Sequence, residues 1–135
     1  YKLNFMKNLK MFCTSLEPRH YEFIKELGYI PAALGDKNFQ DGWLRDNSNE
    51  NISKKNKNYA ELTFHYWFWK NYLKTCESRW IGFCHYRKFW TNKNQRDLNI
   101  NIRSLSSLIL KSVPEDLEKY EVILGEPFYV NQMFF

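Results

Sequence analysis

Asn51-Ile-Ser-Lys-Lys-Asn56, Tyr59-Ala-Glu-Leu-Thr-Phe-His-Tyr-Trp-Phe-Trp-Lys70 and Ile81-Gly-Phe-Cys-His-Tyr-Arg-Lys-Phe-Trp90 follow one another in the chain. They read as a polar loop, a helix, and a buried strand that leaves through basic and aromatic residues. Asn58 and Glu61 have the spacing of a capping box, in which the Asn accepts from the third helical amide and the Glu reaches back. The spacing predicts a helix over 59–74. Leu62, Tyr66, Trp69 and Leu73 recur on one stripe, and Phe64, Trp67 and Phe68 widen the apolar surface to most of the circumference. Such a helix is expected to be packed on several sides, with Tyr66 and Trp69 in the core. Glu61 and His65 lie four apart on one face. We read them as a cap and a hydrogen-bonded core histidine in preference to a metal or acid–base pair.

Residues 80–84 (Trp-Ile-Gly-Phe-Cys) form a short apolar run expected as a central strand, with Gly82 allowing close packing or close approach of a ligand. His85, Tyr86, Arg87 and Lys88 stand at its carboxyl end, where strand alternation sends His85 and Arg87 one way and Tyr86 and Lys88 the other. Ligands of open α/β sheets collect at the carboxyl ends of strands. Arg87 offers a planar fork for phosphate or carboxylate, and Lys88 a point charge. A strand end whose charges only face solvent is the equal alternative.

Outward from this unit, residues 9–13 read as a first strand whose carboxyl end carries the hydroxyls of Thr14 and Ser15. Tyr21, Phe23, Ile24 and Leu27 have near-helical spacing, with Gly28 where a C-cap belongs. Residues 29–34 can form a second strand only at a sheet edge, because Pro31 has no amide hydrogen. Residues 35–58 are a long polar loop. Trp43 and Leu44 indicate that part of it folds back, and Asp36, Asp41 and Asp46 read as turn residues before metal ligands. After an irregular stretch at 91–101, Leu105, Leu108 and Ile109 give a helix from 102 into 113, and Pro114 opens a further helical turn. Residues 120–124 (Tyr-Glu-Val-Ile-Leu) are the clearest strand of the chain, and 128–130 begin another element. Alternating strands and helices predict an α/β layer with a mostly parallel sheet flanked by helices.

The 135 residues, 44% hydrophobic and 26% charged, suit one domain with a substantial core. No apolar run approaches the ~18 residues of a membrane span, and the first residues do not pattern as a signal peptide. Three cysteines without CxxC spacing argue against a disulfide framework and a zinc site, so a reducing cytoplasm is the expected compartment and the Asn51-Ile-Ser53 sequon a chance match. A start at Tyr1 and an apolar finish at Phe134-Phe135 are read as a carboxyl-terminal truncation. The net charge of +5 favours anionic partners without choosing among them. The run Lys54, Lys55 and Lys57 reads as a solvated loop. Neither a Gly-rich phosphate loop nor an RNA-binding module is present, and no nucleic-acid partner is expected.

The four pieces Asn51-Ile-Ser-Lys-Lys-Asn56, Tyr59-Ala-Glu-Leu-Thr63, Tyr66-Trp-Phe-Trp-Lys-Asn71 and Ile81 to Trp90, with Leu117-Glu-Lys-Tyr-Glu-Val-Ile-Leu124 after them, resemble a bacterial domain of unknown function found in capsular polysaccharide and exopolysaccharide glycosyltransferases. Order and spacing agree through all of them. The resemblance spans most of the chain and only the amino-terminal part of the family's length. It implies a GT-A-like fold, a nucleotide-sugar donor, and a glycan or lipid-linked acceptor at a cell surface. It also implies a cytoplasmic enzyme working at the inner face of the membrane as a peripheral protein. Lys88 and Trp90 replace Arg and Phe of the family pattern. Gly125-Glu126-Pro127 stands in place of Pro-Lys, and Thr14-Ser15-Leu16 in place of Thr-His-Lys.

Many GT-A enzymes hold a divalent metal with Asp-x-Asp after the equivalent strand. Here His85-Tyr86-Arg87-Lys88 occupies that place, and cations cannot hold a metal but can neutralise a diphosphate. The expected donor site is therefore metal-independent, with Arg87 and Lys88 on the leaving-group charge, His85 on phosphate or sugar, and Tyr86 and Thr14 beside them. Asn51, Asn56 and Glu61 shape the adjoining loop and helix cap. A divalent metal is the less favoured arrangement. No catalytic base is ranked among Asp97, Glu115, Glu126 and the loop aspartates. The alternative is a non-catalytic carbohydrate- or nucleotide-binding module in a polysaccharide-synthesis complex, for which the 19% aromatic content supplies stacking surfaces.

Overall fold

The computed structural model describes residues 8–91 and 101–126. Residues 92–100 of the stretch expected to be irregular, the element expected from 128 and both chain ends lie outside the described residues. Four strands, β1 (Leu9–Ser15), β2 (Ile30–Ala33), β3 (Leu44–Arg45) and β4 (Trp80–His85), form a sheet in the order β3-β2-β1-β4. Every pairing is parallel. Helices α1 (Tyr21–Glu26), α2 (Asn56–Tyr59), α3 (Leu62–Trp67) and α4 (Ile102–Leu108) flank it. The fold is α/β, consistent with the GT-A-like class expected.

β1 organises the sheet because its side chains feed two cores by simple alternation. Leu9, Met11 and Cys13 pack with Ile24, Leu27 and Tyr29 on the α1 face. Phe12 points the other way and is fully buried beneath Phe64 and Phe68, its ring 6.1 and 4.9 Å from theirs. Gly28, at φ 78°, lets α1 end and the chain turn into β2. Trp43 is buried on the first core, so the long loop does fold back, and Leu44 continues it into β3.

Several sequence expectations are corrected. β2 is not an edge strand: β1 and β3 flank it. Leu34 donates its amide to Ser15 on the β1 side, so by the alternation of a parallel ladder the missing amide of Pro31 faces β3, which pairs only from Ala32 onward. β4 lies at one end of the sheet rather than in its centre. The indole Nε1 of Trp90 donates to the outward carbonyl of Phe83 at 2.8 Å. That contact occupies the edge a further strand would use, and residues 120–124 are irregular, with Val122 and Leu124 exposed. α4 stops at Leu108, and the turn after Pro114 is a single 3-10 turn at Glu115–Leu117.

The helix expected over 59–74 is broken and faces otherwise than its stripe implies. Asn58 lies inside α2, the Asn58–Glu61 capping box is absent, and a turn at Ala60 separates α2 from α3. A capping box forms instead at Asn101 and Ser104. The face of α3 on the sheet is Thr63, Phe64 and Trp67, continued by Phe68. Leu62, Trp69 and Leu73 are exposed and Tyr66 is half-buried. After Trp67 the helix widens to a π segment over Phe68–Tyr72 and tightens to a 3-10 turn over Leu73–Thr75. The wide segment sets the Tyr72 ring 5.8 Å from Phe12. Gly82 is used for close packing, since Met11 Cε lies 2.6 Å from where a Cβ would stand.

Candidate functional site

β1 and β4 run in register, with Thr14 opposite His85, so both strands reach their carboxyl ends at one level. They are tied there by Thr14 Oγ1 donating to Cys84 O at 3.2 Å and Tyr86 N donating to Thr14 O at 3.1 Å. The chain does not continue as a strand. Lys88 N donates to His85 O at 2.8 Å and His85 N to Lys88 O at 3.3 Å, a tight turn that returns Lys88 over His85. Trp90 is then pinned back along β4 by its bond to Phe83. An open cavity of about 430 Å³ results, within the range of small-molecule sites. Thr14, Phe83 and His85 form the sheet side, Glu61 and His65 the α3 side, and Lys88, Trp90 and Glu126 the remaining wall.

Glu61 enters this cavity because of the turn before it. Ala60 has φ 47° and ψ −132°, a backbone conformation rare for a residue with a Cβ and costing about 1–3 kcal/mol. Its carbonyl is held by Asn56 Nδ2 at 2.9 Å, Thr63 N at 3.2 Å and Thr63 Oγ1 at 3.1 Å. α3 thus starts with Glu61 free of any capping bond, and His65, one turn on, rests on Phe83 with ring centroids 4.5 Å apart. The reading of Glu61 as a cap and His65 as a hydrogen-bonded core group gives way to two side chains lining one cavity.

Burial dominates the imidazoles. It lowers His65 from the usual histidine range against the pull of the Glu61 carboxylate. It lowers His85 likewise, reinforced by Arg87 and opposed by Glu61. Both rings are thereby favoured as neutral hydrogen-bonding groups near pH 7, and the positive charge of the cavity wall resides on Lys88. Outside the cavity, Tyr86 lies between His20 and His85 at 4.3 and 4.4 Å, and Arg87 sits 5.2 Å over the Tyr86 ring. His20 Nδ1 is 2.8 Å from the buried Ser15 hydroxyl, which fixes the far side of this stack. Cys84 borders the cavity, but contact with the Cys13 thiol and burial push its pKa up, away from nucleophilic thiolate character. All three cysteines are free.

Of the residues singled out from sequence, Thr14, Glu61, His85 and Lys88 meet in the cavity. Tyr86 and Arg87 do not line it, because the turn replaces the expected alternation. Asn51 closes a side-chain turn just before the 3-10 turn Ser53–Lys55, its Oδ1 accepting from Ser53 N at 3.2 Å, and Asn56 serves Ala60 and Thr63. Asp46 is a fully buried side chain bonded to Thr63, more than a turn residue. Asp36 and Asp41 are exposed, and among the described residues no group of three His, Cys, Asp or Glu gathers as for a metal ion. Sequence reasoning missed His65 and Trp90 as lining residues and held Glu126 only as one of several unranked candidate bases. The i, i+4 relation of Glu61 and His65 was the available signal for the first; nothing local signals Glu126, which arrives from a distant segment.

A family model described as a domain of unknown function (DUF4422) matches residues 15–133. No curated protein and no solved structure matches the chain.

Proposed function

Because the chain belongs to the DUF4422 family, whose function is unknown, its chemistry has to be read from its own residues, and we propose that it is a glycosyltransferase acting on a nucleotide-sugar donor. The observation that carries this reading is the meeting of a cation, a hydroxyl, two neutral imidazoles and two carboxylates in one cavity at the carboxyl end of a parallel sheet. Lys88 suits the donor diphosphate, and neutral His85 suits a hydrogen bond to phosphate or sugar. Trp90 and Phe83 give apolar surface for a sugar face. In the transfer, an acceptor hydroxyl oxygen bonds to the anomeric carbon while the bond from that carbon to the diphosphate oxygen breaks. The electron pair leaves with the diphosphate, whose charge Lys88 offsets, and the acceptor proton passes to a carboxylate of the cavity. Arg87, placed on Tyr86, moves from a donor contact to a supporting one.

The acceptor we propose is a surface glycan or lipid-linked sugar met at the inner face of a membrane. The exposed Leu62, Trp69 and Leu73 continue along the helix that carries Glu61 and His65. Residues 53–75 hold Lys54, Lys55, Lys57, Lys70 and Lys74 against the single acid Glu61. An apolar stripe with Trp and lysines suits the interface of an acidic bilayer. No helix among the described residues is long and apolar enough to cross a membrane.

Calorimetric titration with uridine, guanosine and thymidine diphosphate sugars, with chelator or with manganese, tests the donor site. The expected result is binding that survives chelation and weakens roughly tenfold or more in Lys88→Ala, a lost charge-assisted bond, with at most a small loss in Arg87→Ala. Binding that requires manganese would overturn the cationic donor site. Absence of binding by any of these sugars would overturn the transferase reading.

A further inference from the structure

Behind the Glu61 wall of the cavity lies a buried polar cluster that the proposed chemistry does not use. Asp46, just past β3, is fully buried. Its Oδ2 stands 2.6 Å from Thr63 Oγ1, and its Oδ1 has no partner among the described residues. The charged group facing it is the neighbouring Arg45, whose guanidinium is directed at the carbonyls of Gly35 and Lys37 and over the Phe39 ring. Thr63 is as buried as Asp46 and has two further contacts, Ala60 O at 3.1 Å and Asn56 Nδ2 at 3.1 Å. A threonine hydroxyl has one hydrogen. If Asp46 is ionised, its carboxylate and the Ala60 carbonyl compete for that hydrogen. If Asp46 is protonated, it donates to Thr63, Thr63 donates to Ala60 O, and Asn56 donates to both. Every contact then has a donor and an acceptor. Burial pushes the same way, raising the acid above its usual range against the lesser pulls of Thr63, of its own backbone amide and of Arg45.

We propose that Asp46, held as a neutral acid, is a positioning residue: through Thr63 it locks the strained Ala60 turn and so fixes Glu61 in the cavity as the carboxylate that takes the acceptor's proton. The last clause rests on the transferase reading; the positioning does not. Asn56 acts beside Asp46, gripping the same carbonyl. The strain at Ala60 is sustained by this network because the turn is what starts α3 with Glu61 facing His65, His85 and Lys88.

The two cavity histidines report where Glu61 stands, since its carboxylate raises both. His20, shifted by burial, Arg19 and Glu17, is the control. Imidazole titrations followed by NMR on the full chain should show His65 and His85 titrating lower in Glu61→Gln, and moving in the same direction in Asp46→Ala and Thr63→Val. Asp46→Asn, neutral and still able to donate to Thr63, should leave both where they are. The infrared spectrum at pH 7 should contain a protonated-carboxyl band that Asp46→Asn removes. Absence of that band, or a folded Thr63→Val whose histidines titrate as in the parent chain, would overturn the positioning role. If Asp46→Ala does not fold, the band and Thr63→Val still decide. For the proton-accepting role, Glu61→Gln should lower turnover about 100-fold or more while nucleotide-sugar affinity stays near that of the parent. Retained turnover would overturn that role alone, whereas a parent chain that binds no nucleotide sugar would overturn the transferase reading and leave the histidine result standing.

Discussion

The two faces of the segment 62–75 are almost equally apolar and have opposite fates. Thr63, Phe64, Trp67 and Phe68 are buried against the sheet; Leu62, Trp69 and Leu73 are 56%, 57% and 44% exposed on the outside. Hydrophobicity alone does not choose between them, and two features of the sheet do. Phe12 stands out from β1 with Phe83 beside it at 5.9 Å, a pair that aromatic rings can cover edge-on. Asp46 needs a hydroxyl, and Thr63 is the residue of the segment placed to supply one to it. A polar anchor with one solution therefore sets the rotation of a helix that is apolar nearly all round.

The comparison is broken most directly by truncating one large side chain on each face. Phe64→Ala should lower unfolding free energy by about 3–5 kcal/mol, as expected when a fully buried ring is removed from a packed aromatic cluster. Trp69→Ala should cost no more than about 1 kcal/mol, since it forfeits little beyond its edge contact with Tyr66 and the Lys70 ammonium 4.2 Å from its ring. Urea midpoints at constant slope would measure both. Comparable losses from the two changes would mean that the outer face is covered in solution.

This asymmetry also marks where the sequence was readable. β1, α1 with its Gly28 cap, the buried Trp43 and the polar carboxyl end of β4 all follow from local patterns, because each depends on residues close in the chain. The outcome was not local for the stripe Leu62, Tyr66, Trp69 and Leu73, for the strand expected at 120–124, or for the alternation of His85 to Lys88. The stripe lost to Asp46, sixteen residues upstream of Leu62. The strand lost its edge to the Trp90 indole on Phe83. The alternation lost to a turn that pairs His85 with Lys88. In the site, residue types at one strand end were legible, and the partners brought by Ala60's backbone were not.

A second test sharpens the contrast by asking what the outer face does. If it meets an acidic bilayer, Leu62→Ser combined with Trp69→Ser should reduce partition onto phosphatidylglycerol vesicles roughly tenfold or more, while the urea midpoint moves little. Raising the salt concentration should weaken binding of the parent chain, since the lysines of this segment contribute through a screened field. Equal binding to neutral phosphatidylcholine vesicles would remove the electrostatic part of the argument, and a parent chain that binds neither would remove the whole of it.

The smallest effect concerns the boundary between the faces, where His65 stands half-buried on Phe83. Burial lowers its folded pKa below that of the unfolded chain, as it does for His20 and His85. Below the unfolded value the unfolded state therefore binds more protons than the folded one, so stability rises with pH there. The contribution is fully present above the ordinary histidine range near 6.5 and is lost as pH falls through the lower, folded values. Replacing His65 with Gln, a neutral group of similar reach, should leave stability near pH 8 close to that of the parent and make the decline on acidification shallower by at most one proton. Urea denaturation at pH 8, 6.5 and 5 would show it. A decline as steep in His65→Gln as in the parent would mean that this ring is solvated in the folded chain. His65 would then belong with the outer face of the helix and not with the cavity wall.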